Sequence, residues 1–199
     1  MDIGLDGGFA DPVLQAQGSF RAIMDALANP GTPRKLVTPP SISSSISPEL
    51  ASIMLTLADH DTSLWLDDSL RANTSVLDFV NFHTGAPVVR EPGRAVFAFA
   101  ASAAHLPRFD QFNLGAQEYP DRSTTIVVAV PALTGGPELI TRGPGIKGDA
   151  HISPLGLPGD FLAQWSANRE LFPRGIDLLL VADGEVMGLP RSTRISEGH

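Results

Sequence analysis

The chain has 199 residues, 43% of them hydrophobic and 18% charged, and contains no cysteine. This is the composition of a folded body with one sizeable core, and it excludes disulfides, thiolate metal cages and cysteine nucleophiles. The net charge is −8, the two lysines (Lys35 and Lys147) lie far apart and the arginines are scattered, so a nucleic-acid backbone would meet net repulsion, whereas a more basic protein partner would not.

At the N-terminus, MDIGLDGGFADP is acidic and lacks the basic flank and apolar stretch of a signal peptide. Gln17–Ala28 places Phe20, Ile23, Met24 and Leu27 at the i, i+3, i+4, i+7 spacing of an amphipathic helix. Asn29-Pro30-Gly31 ends it, because proline cannot continue the hydrogen-bond ladder. Lys35-Leu36-Val37 reads as a short strand, and TPPSISSSISP at 38–48 as a solvated loop. Pro48 and Glu49 open a second helix, with Leu50, Ile53, Met54 and Leu57 in the same spacing. Ser63–Leu66 reads as a strand. Arg71–His83 reads as one helix carrying Val76, Leu77, Phe79 and Val80, closed by Gly85 and Pro87. Ala95–Ala101 is a further strand, and Leu106–Ser123 lacks periodicity and reads as loop.

The run TTIVVAV (124–130) is continuously apolar and β-branched, the mark of a central strand buried on both faces. Its IVVAV portion, the longest apolar run, is far too short to cross a bilayer. LTGGPELI (133–140) reads as a hairpin about Gly135-Gly136. Phe161–Leu171 reads as a helix, and IDLLLVADGEVMGLP (176–190) as a hairpin turning at Asp183-Gly184. Helices and strands alternate early and hairpins dominate late. This predicts one α/β domain over residues 1–199, with a mixed sheet covered by helices, in the cytoplasm.

Chemistry-bearing residues are few. Asp59-His60-Asp61 in TLADHDTSLWLDD reads as a metal or proton-transfer cluster, or as the turn between a helix and a strand. The turn is the simpler reading, since Asp side chains bond nearby backbone N–H groups and consecutive residues rarely converge on a metal. His83 falls in a last helical turn, where a histidine suits the helix dipole. A catalytic role there is the alternative, because histidine titrates near neutral pH. In TRGPGIKG (141–148), Arg142, Lys147 and three glycines have the makings of an anion cradle. The spacing departs from a phosphate-binding loop, and a plain Gly-Pro turn also accounts for it. Asp177 opens an apolar strand, within reach of a pairing with Arg174. No G-x-S-x-G serine motif occurs. No catalytic or metal-binding residue is therefore assigned.

Six stretches in this order resemble the PhnH family, which supplies a subunit of the bacterial carbon–phosphorus lyase system. They are FADPVLQAQGSFRAIMDALANPG, TLADHDTSLWL, NFHTGAP, GAQEYPDRSTTIVVAV, LTGGPELITRGPGI and FPRGIDLLLV followed by GLPRST, together spanning about residues 9–195. The resemblance implies a three-layer α/β/α sandwich similar to the large domain of pyridoxal-phosphate-dependent transferases. It implies work alongside PhnG, PhnI and PhnJ, coupling an alkylphosphonate to the ribose of ATP before a radical step on PhnJ cleaves the carbon–phosphorus bond. No cofactor is expected on this chain: a pyridoxal Schiff base needs a lysine, and neither Lys35 nor Lys147 has the context of an anchor. Without cysteine the chain also lacks the ligands of an iron–sulfur cluster. The expectation is a scaffolding subunit, homodimeric in isolation through an exposed apolar patch that partners cover in the complex. The alternative is a stand-alone phosphonate- or nucleotide-binding enzyme, in which Arg142, Lys147, His83, Asp59 and Asp61 line one pocket.

Overall fold

A computed structural model describes residues 7–40 and 46–198; part of the loop expected at 38–48 lies outside them. Helix α1 (Pro12–Ala28) starts five residues before the apolar spacing does, because Asp11 caps it by accepting from the Leu14 N–H at 3.1 Å and Pro12 follows at the first turn. Helix α2 (Pro48–Leu57) is capped by Ser47 and buries Leu50, Ile53 and Met54 as the spacing predicts. The single helix expected over 71–83 is two, α3 (Asp68–Arg71) and α4 (Thr74–His83). Asp67, ahead of the expected start, accepts from the Leu70 N–H at 2.8 Å, and Asn73, inside the expected span but ahead of its apolar residues, accepts from the Ser75 N–H at 3.0 Å, each opening a new helix. Helix α5 is Phe161–Glu170.

In chain order the strands are β1 (Arg34–Lys35), β2 (Leu64–Leu66), β3 (Val88–Val89), β4 (Phe97–Ala100), β5 (Thr125–Ala129), β6 (Leu139–Arg142), β7 (Ala150–Ile152), β8 (Asp177–Ala182), β9 (Glu185–Leu189) and β10 (Arg194–Glu197). Seven form a mixed sheet in the order β1-β9-β8-β5-β4-β2-β3, parallel from β8 to β3 and antiparallel at β9 and β1. The edge strand β3 carries too short an apolar signal to be read from sequence. The hairpin expected across 133–140 does not form. Only Leu139 and Ile140 are in a strand, and β6 pairs instead with β7, across residues 143–149, and with β10. Gly136 answers a different demand: a Cβ there would lie 2.3 Å from the Pro154 carbonyl oxygen, so the glycine permits two loops to touch. The hairpin at Asp183-Gly184 does form, with positive φ at both residues.

Both faces of the central sheet are buried, as the unbroken apolar runs of β5 and β8 predict. Ile126, Val128, Leu178 and Leu180 pack with Trp165, Phe161 and Phe109 on one side. Val127, Leu179, Val181 and Phe99 pack with Ile53, Met54, Val80 and Ile23 on the other. Helices α1, α2 and α4 cover the second face. The first is covered by α5, the three-stranded sheet and short 3-10 turns, so the outer layers of the sandwich differ in kind.

Candidate functional site

Asp59, His60 and Asp61 follow α2 directly and form an exposed turn. The Asp59 carboxylate accepts from the Thr62 hydroxyl at 2.6 Å and the Asp61 N–H at 3.0 Å. These bonds, the Thr62 hydroxyl first, hold its pKa below the usual carboxylate value. His60 and Asp61 face solvent with ring nitrogen and carboxylate 3.4 Å apart. The turn lies close to the end of α4: a Cβ on Gly85 would sit 3.8 Å from the His60 Cβ. His83 is half-buried there, its ring 4.8 Å from that of Phe79 and 4.9 Å from that of Phe82, with Gly8 so near that a Cβ would come within 3.0 Å of its Cε1. The 59–61 turn thus meets the end of α4 at Gly85, and His83 meets Gly8, four residues before the start of α1.

Arg142 and Lys147 lie elsewhere. Both are exposed, on β6 and the β6–β7 loop. Arg142 grips Asp149 with two hydrogen bonds of 2.5 and 2.6 Å, which raise the Arg142 pKa and lower that of Asp149. The loop rests against the C-terminal end of α1, where a Cβ on Gly145 would lie 2.1 Å from the Ala28 carbonyl oxygen. That loop therefore lies by the C-terminal end of the 17-residue α1, whereas His83 lies by Gly8, on the other side of the helix in sequence. Among the described residues no three His, Asp or Glu side chains gather to hold a metal ion.

The feature that the spacing of α1 did not disclose is which face points outward. Of the four residues in its apolar pattern, Ile23 is buried and Leu27 partly so, but Phe20 and Met24 are each 50% exposed. Val13, 66% exposed and two turns before Phe20, extends the stripe, and Leu14, equally exposed, lies to one side of it. The inward face sets the small residues Ser19 and Ala26 on either side of Ile23. Ser19 hydrogen-bonds Ser52 at 3.1 Å and the Val37 carbonyl at 3.0 Å. Ala26 lies so close to β9 that a Cβ on Gly188 would come within 2.6 Å of its carbonyl oxygen. A helix lying this near a strand has no room for Phe or Met beneath it, so its large side chains turn to solvent. They line, with Ala16, Gln17, Arg21 and Thr56, an open groove of about 500 Å³. Contiguous exposed apolar side chains on one helix mark an association surface more often than scattered single ones do.

The family model for bacterial phosphonate metabolism protein PhnH matches residues 7–196. The chain is similar to the alpha-D-ribose 1-methylphosphonate 5-triphosphate synthase subunit PhnH of Rhizobium meliloti (strain 1021), with 50% identity over 189 residues covering 95% of this chain and 94% of the relative. It is also similar to the putative C-P lyase subunit protein HtxG of Stutzerimonas stutzeri, with 37% identity over 84 residues, 42% of this chain and 43% of the relative.

Proposed function

Since this chain belongs to the PhnH family of bacterial phosphonate metabolism proteins, we propose that it is a subunit of a ribose 1-methylphosphonate 5-triphosphate synthase, associating with its partners through the outer face of α1. The assembly joins an alkylphosphonate to the ribose of ATP in the cytoplasm, and PhnG, PhnI and PhnJ are the partners. The observation that carries this reading is the apolar stripe of Val13, Phe20 and Met24 along the outer face of α1. Burying one such side chain fully is worth about 1.5–3 kcal/mol, so these exposed side chains supply the apolar centre of an interface. In isolation a second copy covers the stripe, giving a homodimer; in the complex a partner subunit takes its place.

A self-sufficient phosphonate- or nucleotide-binding enzyme would need Arg142, Lys147, His83, Asp59 and Asp61 in one pocket. The β6–β7 loop by the C-terminal end of α1, His83 by Gly8 and the Arg142 fork engaged by Asp149 weigh against that arrangement.

Phe20→Ser with Met24→Ser tests the proposal. Light scattering after size exclusion should show the wild-type dimer and a monomeric variant with an unchanged melting temperature, since exposed substitutions away from caps and cores stay within about 0.5 kcal/mol. Co-expression with the three other subunits should recover the wild-type chain in the complex and not the variant. A wild-type chain that is monomeric and fails to co-purify, or a deletion strain that still grows on methylphosphonate as sole phosphorus source, would overturn the reading.

A further inference from the structure

Three stretches remote in sequence, EYPDRS, FPRGID and LPRST, meet at one corner of the molecule, at the amino ends of β5 and β8. Arg191 ties them together. Its backbone N–H donates to Asp177 Oδ1 at 2.7 Å, its Nε to the same oxygen at 3.1 Å, and its Nη2 to Asp177 Oδ2. Its Nη1 donates to the Pro120 carbonyl at 2.6 Å and lies 3.5 Å from that of Pro173. Asp177 thus pairs with Arg191 and not with Arg174. One nitrogen reaches both proline carbonyls, so the residues just before them, Tyr119 and Phe172, belong to the same corner.

Both of those aromatic side chains are half exposed, and each carries an arginine on its face. The Arg122 guanidinium is 4.2 Å from the centre of the Tyr119 ring, and that of Arg169 is 4.9 Å from the centre of the Phe172 ring. Neither has a carboxylate partner among the described residues, unlike Arg34, Arg71, Arg108, Arg142 and Arg191. Stacking uses the flat face of a guanidinium and leaves in-plane N–H donors unspent. Twin aromatic–arginine platforms have the composition of an interface hot spot, in which Tyr and Arg are enriched. Glu118 and Asp121 stand exposed beside them, so the corner is no open cationic patch and a free polyanion fits it poorly. A carboxylate delivered by a protein, with apolar neighbours to cover the rings, fits both features.

We propose that this corner is a second docking surface, separate from α1, which receives a partner subunit through an Asp or Glu side chain flanked by apolar residues. The proposal rests on the subunit reading above and adds where and by what chemistry a different protein engages. A subunit that meets one partner through α1 needs another face for a second partner bound at the same time.

The test compares wild type with Arg122→Ser/Arg169→Ser and with Arg122→Lys/Arg169→Lys, each titrated by biolayer interferometry onto the immobilised complex of the other synthase subunits. Arg191 is left intact because it holds the corner together, and melting temperatures check that the variants fold. The serine pair should weaken binding about tenfold or more, the range of hot-spot truncations, with self-association unchanged. The lysine pair should restore only part of the affinity, because an ammonium keeps the charge and loses the planar fork. Equal binding by wild type and the serine pair overturns the proposal and leaves the subunit reading standing. Failure of wild type itself to bind sinks both. Loss of self-association in the serine pair would make this a contact between copies, and full rescue by lysine would remove the stacked guanidinium from the account; either refutes the proposal as stated.

Discussion

Two arginine–aspartate pairs in this molecule have almost the same chemistry and opposite standing. Arg142 and Asp149 face each other across the β6–β7 hairpin with side chains 58% and 42% exposed. Arg191 and Asp177 join three loops with side chains 14% and 19% exposed. Both are bidentate. The first lies in water, which screens it and supplies alternative partners, so its loss leaves nothing stranded. The second is largely withdrawn from water and its guanidinium also reaches the carbonyl of Pro120, so its loss leaves a carboxylate and a carbonyl unsatisfied at once. The lesson is that a cation's value depends on what it would abandon. Arg142, offered by the sequence as part of an anion cradle, is the less consequential of the two.

This contrast can be broken at several points. The largest effect is expected for Arg191→Ala, which should lower the free energy of unfolding in urea by about 3 kcal/mol, the cost of orphaning one member of a buried pair. It should also loosen the seat of Tyr119 and Phe172, and so weaken partner binding even though neither ring is touched. Replacing both members, Arg191→Leu with Asp177→Leu, should cost less than the single change, because no charge is left behind; a larger loss would mean that the tie to Pro120 outweighs the ion pair.

The exposed pair offers smaller tests. Asp149 has its folded-state pKa lowered from 3.8, chiefly by the hydrogen bonds from Arg142. A depressed carboxylate contributes stability that is present above its unfolded value and lost as pH falls through the folded one. Urea midpoints for wild type and Asp149→Asn should therefore differ slightly near neutrality and converge as the pH drops below 3.8. Arg142→Ala should leave the melting temperature where an ordinary surface substitution would. A large drop there would erase the distinction between the two pairs.

How much of this could be read in advance varied with the kind of feature. α2, α5 and the strands β5 and β8 were legible because each is a single local pattern: one apolar face, or an unbroken apolar run with only one way to be buried. The turn at Asp183 was legible because few residue pairs tolerate positive φ in succession. The turn at Asp59 was too, since its carboxylate bonds nearby donors. α1 was legible as a helix, but two of the four large residues in its apolar spacing, Phe20 and Met24, turn to water. The spacing of Phe20, Ile23, Met24 and Leu27 marks a helix correctly but not which side is buried. The break at Asn73 left no mark on the apolar spacing, whose residues Val76, Leu77, Phe79 and Val80 all follow it. The Arg191 corner was invisible: Asp177, a proline carbonyl 71 residues away and the two stacked rings share no local signal.

By itself, then, the order of residues determined the class of the fold, the central strands, most helices and the absence of thiolate chemistry, because those follow from composition and from contacts a few residues apart. The membership of a phosphonate-metabolism family could be read there as well, from stretches in a particular order. Tertiary structure alone decided which face of α1 meets water and which arginine became indispensable. Those outcomes depend on how near a helix can lie to Gly188 and on which loops the sheet brings to one edge, and distances of that kind exist only once the chain has closed on itself.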